Sequence, residues 1–187
     1  MREELGIPAD AKVLLSFGHI RDGKNLNLAI STLAQFPRVF LVVAGQEQSL
    51  GQKPASFYQE MAERLGVATR CRWVIRFLAE DEIGNFFSAA DIALLAYSRR
   101  FRSASGVLNV AIHYRRPCLA SSGQGNIESA VRDYGLGVWA EPDSEPALAQ
   151  GLRSLLDNPP TPDWDRYEEE NSWDRNAQLV IERMFSR

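Results

Sequence analysis

The sequence predicts an α/β fold: a doubly wound, Rossmann-like parallel sheet of about six strands with helices on both faces. Three observations lead there. Short β-rich runs alternate with longer segments of helical period. Several runs are apolar at consecutive residues, the pattern of parallel strands covered on both faces. Glycines and prolines stand where one kind of segment gives way to the next. The runs are residues 12–17 (KVLLSF), 39–44 (VFLVVA), 72–77 (RWVIRF), 91–96 (DIALLA), 117–121 (PCLAS) and 137–140 (GVWA).

Between the runs lie apolar stripes read as core-facing helix surfaces. They are Leu26, Ala29, Ile30 and Leu33; Phe57, Met61 and Leu65; Ile83, Phe86, Phe87 and Ala90; Val107, Val110, Ala111 and Tyr114; Leu148, Leu152, Leu155 and Leu156; and Trp173, Ala177, Val180 and Met184. Asp81 and Ser105 stand where N-caps are expected. Repeated strand–helix units imply right-handed crossovers within one sheet. The run Asn158-Pro-Pro-Thr-Pro162 closes the compact part. Residues 1–160 are therefore expected as the domain, and residues 161–187 as a tail with an acidic stretch and a last helix.

Composition narrows the function classes. With 187 residues, 45% hydrophobic and 24% charged, the chain is long enough to bury a core without staples. Lysine and arginine number 21 against 24 acidic residues, a net charge of −3. That gives no global attraction to nucleic acid, and no nucleic-acid partner is expected. The apolar runs are far too short to span a bilayer, and MREELGIP carries no apolar leader, so a cytoplasmic location is expected. Cys71 and Cys118 form no CxxC and read as reduced, buried thiols.

In doubly wound sheets ligands bind beyond the carboxyl ends of the strands. After the first run comes Gly18-His19-Ile20-Arg21-Asp22-Gly23-Lys24-Asn25. Glycine lets backbone approach a ligand, and two cations three residues apart can straddle an anion. This is neither GxGxxG nor GxxxxGK[ST], so the nicotinamide and P-loop readings lose their main support. After the fourth run, Tyr97-Ser-Arg-Arg-Phe-Arg-Ser-Ala-Ser105-Gly106 opens a helix, with Arg99, Arg100 and Arg102 beside it. Free N–H groups at a helix start favour an anion. Two such loops on one sheet edge point to a diphosphate held between the first and fourth strands. After the fifth run, Ser121-Ser-Gly-Gln-Gly-Asn-Ile-Glu128 adds a third polar loop. No Ser-His-Asp set and no metal-ligand spacing is visible; His19 and His113 are the only histidines.

In order and spacing, five segments resemble the C-terminal, donor-binding domain of retaining glycosyltransferases of family 4 (glycosyl transferases group 1), which have the two-domain GT-B fold. They are LGIPADAKVLLSFGHIRDGKN, VFLVVAG, FLAEDEIGNFFSAADIALLAY, SASGVLNVAIHYRRPCLAS and SGQGNIESAVRDYGLGVWAEPDSEPALAQGL. The resemblance implies a nucleoside-diphosphate sugar as substrate, no cofactor or metal, and an N-terminal acceptor-binding domain as partner. It gives Arg21 and Lys24 the catalytic role of contacting the diphosphate. It implies that Gly18 lies against phosphate or sugar; His19, by its place directly after Gly18, is expected to point into the crevice. The resemblance likewise implies that Ser105, Gly106 and Val107 form the helix start receiving the distal phosphate, and that Phe77 and Leu78 fall where the base is held. The chain also departs from the family: Arg102 and Val110 stand where many members carry two glutamates, and Arg115 where glycine is common. Arg102 is expected to add charge stabilisation at the leaving group. The resemblance further implies half an enzyme, inactive alone, with at most peripheral membrane association. A degenerate nucleotide-sugar-binding module and another doubly wound fold are the rival readings.

Overall fold

A computed structural model describes residues 1–48 and 51–185. The strands, in chain order, are β1 (Lys12–Phe17), β2 (Val39–Ala44), β3 (Cys71–Val74), β4 (Ile92–Ala96), β5 (Cys118–Ser121) and β6 (Gly137–Trp139). They form one parallel sheet of order β3-β2-β1-β4-β5-β6. The strand order reverses between β1 and β4, so their outgoing loops diverge and a crevice opens there.

The helices are α1 (Leu26–Thr32), α2 (Ala55–Arg64), α3 (Glu80–Ala89), α4 (Gly106–His113), α5 (Asn126–Asp133), α6 (Glu145–Asp157), α7 (Trp164–Glu170) and α8 (Trp173–Phe185). Successive strand residues face opposite layers. Leu14 packs with α1, α2 and α6, whereas Leu15 packs with α3, α4 and α5. Both leucines are 1% exposed. Each such burial contributes roughly 1.5–3 kcal/mol relative to an exposed side chain. Cys71 and Cys118 are free, buried thiols belonging to opposite layers.

Several sequence expectations are corrected. The third run stops at Val74 because its partner β2 ends there, at the pair Ala44–Val74. Arg76 then turns to grip the Glu82 carboxylate through both terminal nitrogens, at 2.8 and 2.5 Å. Glu82 also accepts the N–H of Ala79 at 3.0 Å, so α3 begins at Glu80 and Asp81 lies inside its first turn. In α2 the buried residues are Ala55, Tyr58 and Ala62, one position round from the expected stripe. The Tyr58 hydroxyl donates to Asp22 at 3.0 Å, which fixes that rotation. In α4 the fully buried residues are Leu108, Ala111 and Ile112, with Val107 and Val110 half-buried. The expected Ser105 cap is present: its Oγ accepts the Leu108 N–H at 3.3 Å.

The tail divides. α7 packs on the domain: Trp164 and Tyr167 join the second layer, and Asp165 holds Arg115 at 2.6 Å. Arg115 has φ +50, the left-handed conformation that explains why glycine suits this position. Among the described residues, α8 buries none of its own side chains: Trp173 is 92% exposed and Met184 71%, so its stripe is not core.

Candidate functional site

Where β1 ends, the chain crosses Gly18 at φ +87. A side chain there would meet the Lys24 ammonium at 3.3 Å and Val107 at 3.7 Å. Gly45, after β2, lies closer still: a Cβ on it would fall 2.4 Å from the Gly18 carbonyl oxygen. Backbone pairing runs on past the strands. Gly18 N–H donates to Ala44 O at 2.8 Å, and Ile20 N–H to Gln46 O at 2.9 Å. These bonds fix the loop that carries Arg21 and Lys24.

Two clefts meet at Phe17, Gly18 and His19. The first, about 390 Å³, is completed by Lys24, Arg21, Tyr97, Phe101, Ala104, Ser105, Gly106 and Val107. It brings together the β1 loop and the start of α4, as the sequence predicted. The Lys24 amine donates to the Phe17 carbonyl. Burial, and secondarily the nearby Arg21 charge, holds its pKa down at about 7. Among the described residues, no acidic side chain lines this cleft. Preorganised cations and helix-start amides of this kind stabilise a developing anion.

Arg21 and Ser105 are joined by a column of side chains that sequence reasoning missed. The Arg21 guanidinium sits 5.4 Å above the Phe101 ring centre, a cation–π contact. Phe101 stacks on Tyr97 at 4.2 Å, and the Tyr97 hydroxyl and Ser105 Oγ lie 3.0 Å apart. Tyr97 and Phe101 stand four apart in a loop, the one sequence signal that could have flagged them.

The second cleft, also about 390 Å³, is apolar and lined by Leu78, Phe77, Ile83, Gly45, Gln46 and Glu80 in addition to the shared residues. Leu78 is buried, while Phe77 is 72% exposed at the rim. Gln46 Nε2 and His19 Nε2 lie 3.0 Å apart, within hydrogen-bond distance.

Arg102 does not join the cationic cleft. The Phe101 N–H bonds to Ser98 O at 2.9 Å and Gly123 N–H to Phe101 O at 2.8 Å. This tight turn sends the Phe101 ring toward Arg21 and the Arg102 side chain across Gly123. Arg102 thus lines a separate polar cleft with Ser122, Gln124 and Trp139. Arg99 turns away to Glu141, at 2.5 Å. Among the described residues, no three His, Cys, Asp or Glu side chains cluster as metal ligands.

Comparison with known proteins concerns the fold and the family. A D-inositol 3-phosphate glycosyltransferase of Mycobacterium leprae is 27% identical over 153 residues, 75% of this chain and 34% of the relative. The Anabaena Alr3699/HepE structure in complex with UDP superimposes with TM-score 0.77 at 20% identity, covering 100% of this chain and 51% of that one. The C-terminal domain of a glycosyl transferase group 1 family protein, LpcC, from Francisella tularensis gives TM-score 0.68 at 21% identity, covering 83% of this chain and 80% of that one. The chain thus spans about a third of its curated relative and about half of HepE. The profile of the family Glycosyl transferases group 1 matches residues 1–180, and the chain belongs to that family.

Proposed function

We propose that this chain is the donor-binding half of a retaining glycosyltransferase. It holds the nucleoside diphosphate of a sugar donor, while an N-terminal domain presents an acceptor glycan or lipid-linked glycan. The observation carrying this reading is the cationic cleft at the β1–β4 switch, lined by Arg21, Lys24 and the start of α4. In transfer, the bond from the anomeric carbon to the diphosphate breaks with its electron pair on the phosphate oxygen, the acceptor hydroxyl oxygen forms the new bond to that carbon, and the hydroxyl proton passes to the departing diphosphate. Arg21, Lys24 and the α4 amides stabilise that charge. The adjoining apolar cleft takes the base against Phe77 and Leu78, and the Gly18–His19 junction lies beside the sugar or phosphates. HepE, with a similar fold, was solved with UDP, which supports a nucleotide in this cleft. The exposed stripe of α8 supports a further domain as its covering partner. Alone, the chain binds donor without transferring sugar.

Calorimetric titration with UDP, GDP and ADP tests this. One of the three binds, and Arg21→Ala weakens it about tenfold or more, as expected for loss of a charge-assisted phosphate contact. A chain that binds none of them refutes the reading. A binding module without transfer is the second reading. It is favoured by Val110 and Arg102 standing in the place of two glutamates, and by the absence of any acidic side chain from the cationic cleft. Sugar transfer by the longer protein containing this chain separates the two.

A further inference from the structure

Among the described residues, three that are not glycine adopt a left-handed φ: Asn25 (49°), Arg115 (50°) and Asp143 (60°). Two of the three are bonded to each other. Asn25 Nδ2 donates to Asp143 Oδ1 at 2.8 Å. The second carboxylate oxygen, Oδ2, accepts the backbone N–H of Arg99 at 3.0 Å. Asn25 directly follows Lys24 and closes the tight turn Asp22–Lys24, its N–H donating to Asp22 O at 3.1 Å. Arg99 opens the segment that carries Phe101 and Ser105. Asp143 itself lies in the connection between β6 and α6, anchored by buried Pro142 before it and the Ser144 cap of α6 after it. Strained backbone of this kind persists only where its surroundings over-determine it, and it concentrates at functional sites.

We propose that Asp143 is a positioning residue of the cationic cleft: from a third loop, its carboxylate spans the β1 and β4 loops and sets the gap between Lys24 and the start of α4. The inference rests on reading that cleft as a diphosphate site. Asp143 does not line the cleft, so it acts through Asn25 and Arg99 rather than on the ligand. Two other ties join the same loops, the Ser98 N–H to Gly23 O bond at 2.9 Å and the Arg21–Phe101 contact. Loss of Asp143 therefore loosens the gap without undoing the fold.

The test is calorimetry of the full chain with whichever of UDP, GDP and ADP binds tightest, paired with thermal unfolding. Asp143→Ala raises Kd about fivefold to tenfold, while Tm moves by no more than about 2 °C. Asn25→Gly keeps the left-handed backbone but removes the side-chain bond; it gives a smaller loss, because Arg99 is still held. The double variant binds no worse than Asp143→Ala alone, the non-additivity expected of a shared bond. Asp163→Ala, which uncaps α7, lowers Tm and leaves Kd unchanged. Should Asp143→Ala not fold, Asp143→Asn supplies the readout: its single amide oxygen serves one donor, and Kd still rises. Wild-type affinity in the Asp143 variants, or full additivity with Asn25→Gly, overturns the proposal while leaving the diphosphate site standing. A wild-type chain that binds none of the three overturns both.

Discussion

Lys24 carries an ammonium group in a place where water is scarce. Its amine donates to the Phe17 carbonyl and lies beside Gly18, and its pKa falls from 10.5 to about 7. A group depressed in this way costs the free fold its full penalty below about pH 7. The penalty fades as the pH rises toward the ordinary lysine value. A bound diphosphate reverses the balance by favouring the charged amine. At about pH 8, therefore, nucleotide binding takes up most of a proton, and affinity falls as the pH rises further. Calorimetry in buffers of different ionisation enthalpy reads the uptake directly. Lys24→Met abolishes both the uptake and the pH dependence above neutrality; a variant that keeps them would place the titrating group elsewhere. Lys24 and Arg21 were legible in the sequence because charge and spacing identify them. Asp143 and Asn25 were not, since their role comes from loops 118 residues apart meeting at one edge.

At the scale of elements, what could be read depended on how symmetric the burial is. β1, β2 and β4 are covered on both faces, and their apolar runs gave their limits to within a residue. α1 and α6 bury the residues their stripes nominate. α2 packs Phe57 and Met61 of its stripe against the core only half-buried, because Ala55, Tyr58 and Ala62 take the innermost positions. The Tyr58 hydroxyl bonds to Asp22, whose own N–H donates to Gln52 Oε1 at 2.8 Å. Tyr58→Phe removes that bond while keeping the ring. It lowers stability by about 1 kcal/mol in urea unfolding, the usual net worth of such a bond. Leu152→Ala, in the wholly buried middle of α6, costs about 2–5 kcal/mol by cavity formation. Equal losses for the two would contradict the assigned packing. The third run was over-extended because its apolar letters continue past the point where β2 can pair with it. Ile75, 40% exposed, marks that overrun.

For the whole molecule, stability is expected to reside in the sheet and its two helical layers, with α8 adding little. Its residues Trp173, Val180, Ile181, Met184 and Phe185 are all exposed. Removing residues 173–187 therefore leaves Tm and nucleotide affinity unchanged and improves solubility, as loss of an uncovered apolar stripe should. A fall in Tm would mean that α8 packs on the domain after all. The layered core was readable from period and composition, but the α8 stripe has the same period as a core helix. Only three-dimensional packing shows that, among the described residues, this stripe stays exposed.

The meeting of β1 with β4 has one more consequence. Their ladder registers only two residue pairs, Leu14 with Ile92 and Leu15 with Ala93, against six between β1 and β2. The cationic cleft straddles the upper end of that short ladder, where the β1 and β4 loops part. An anion bound there as proposed would tie the two loops to each other, so occupancy should slow amide exchange in both as well as fill a binding site.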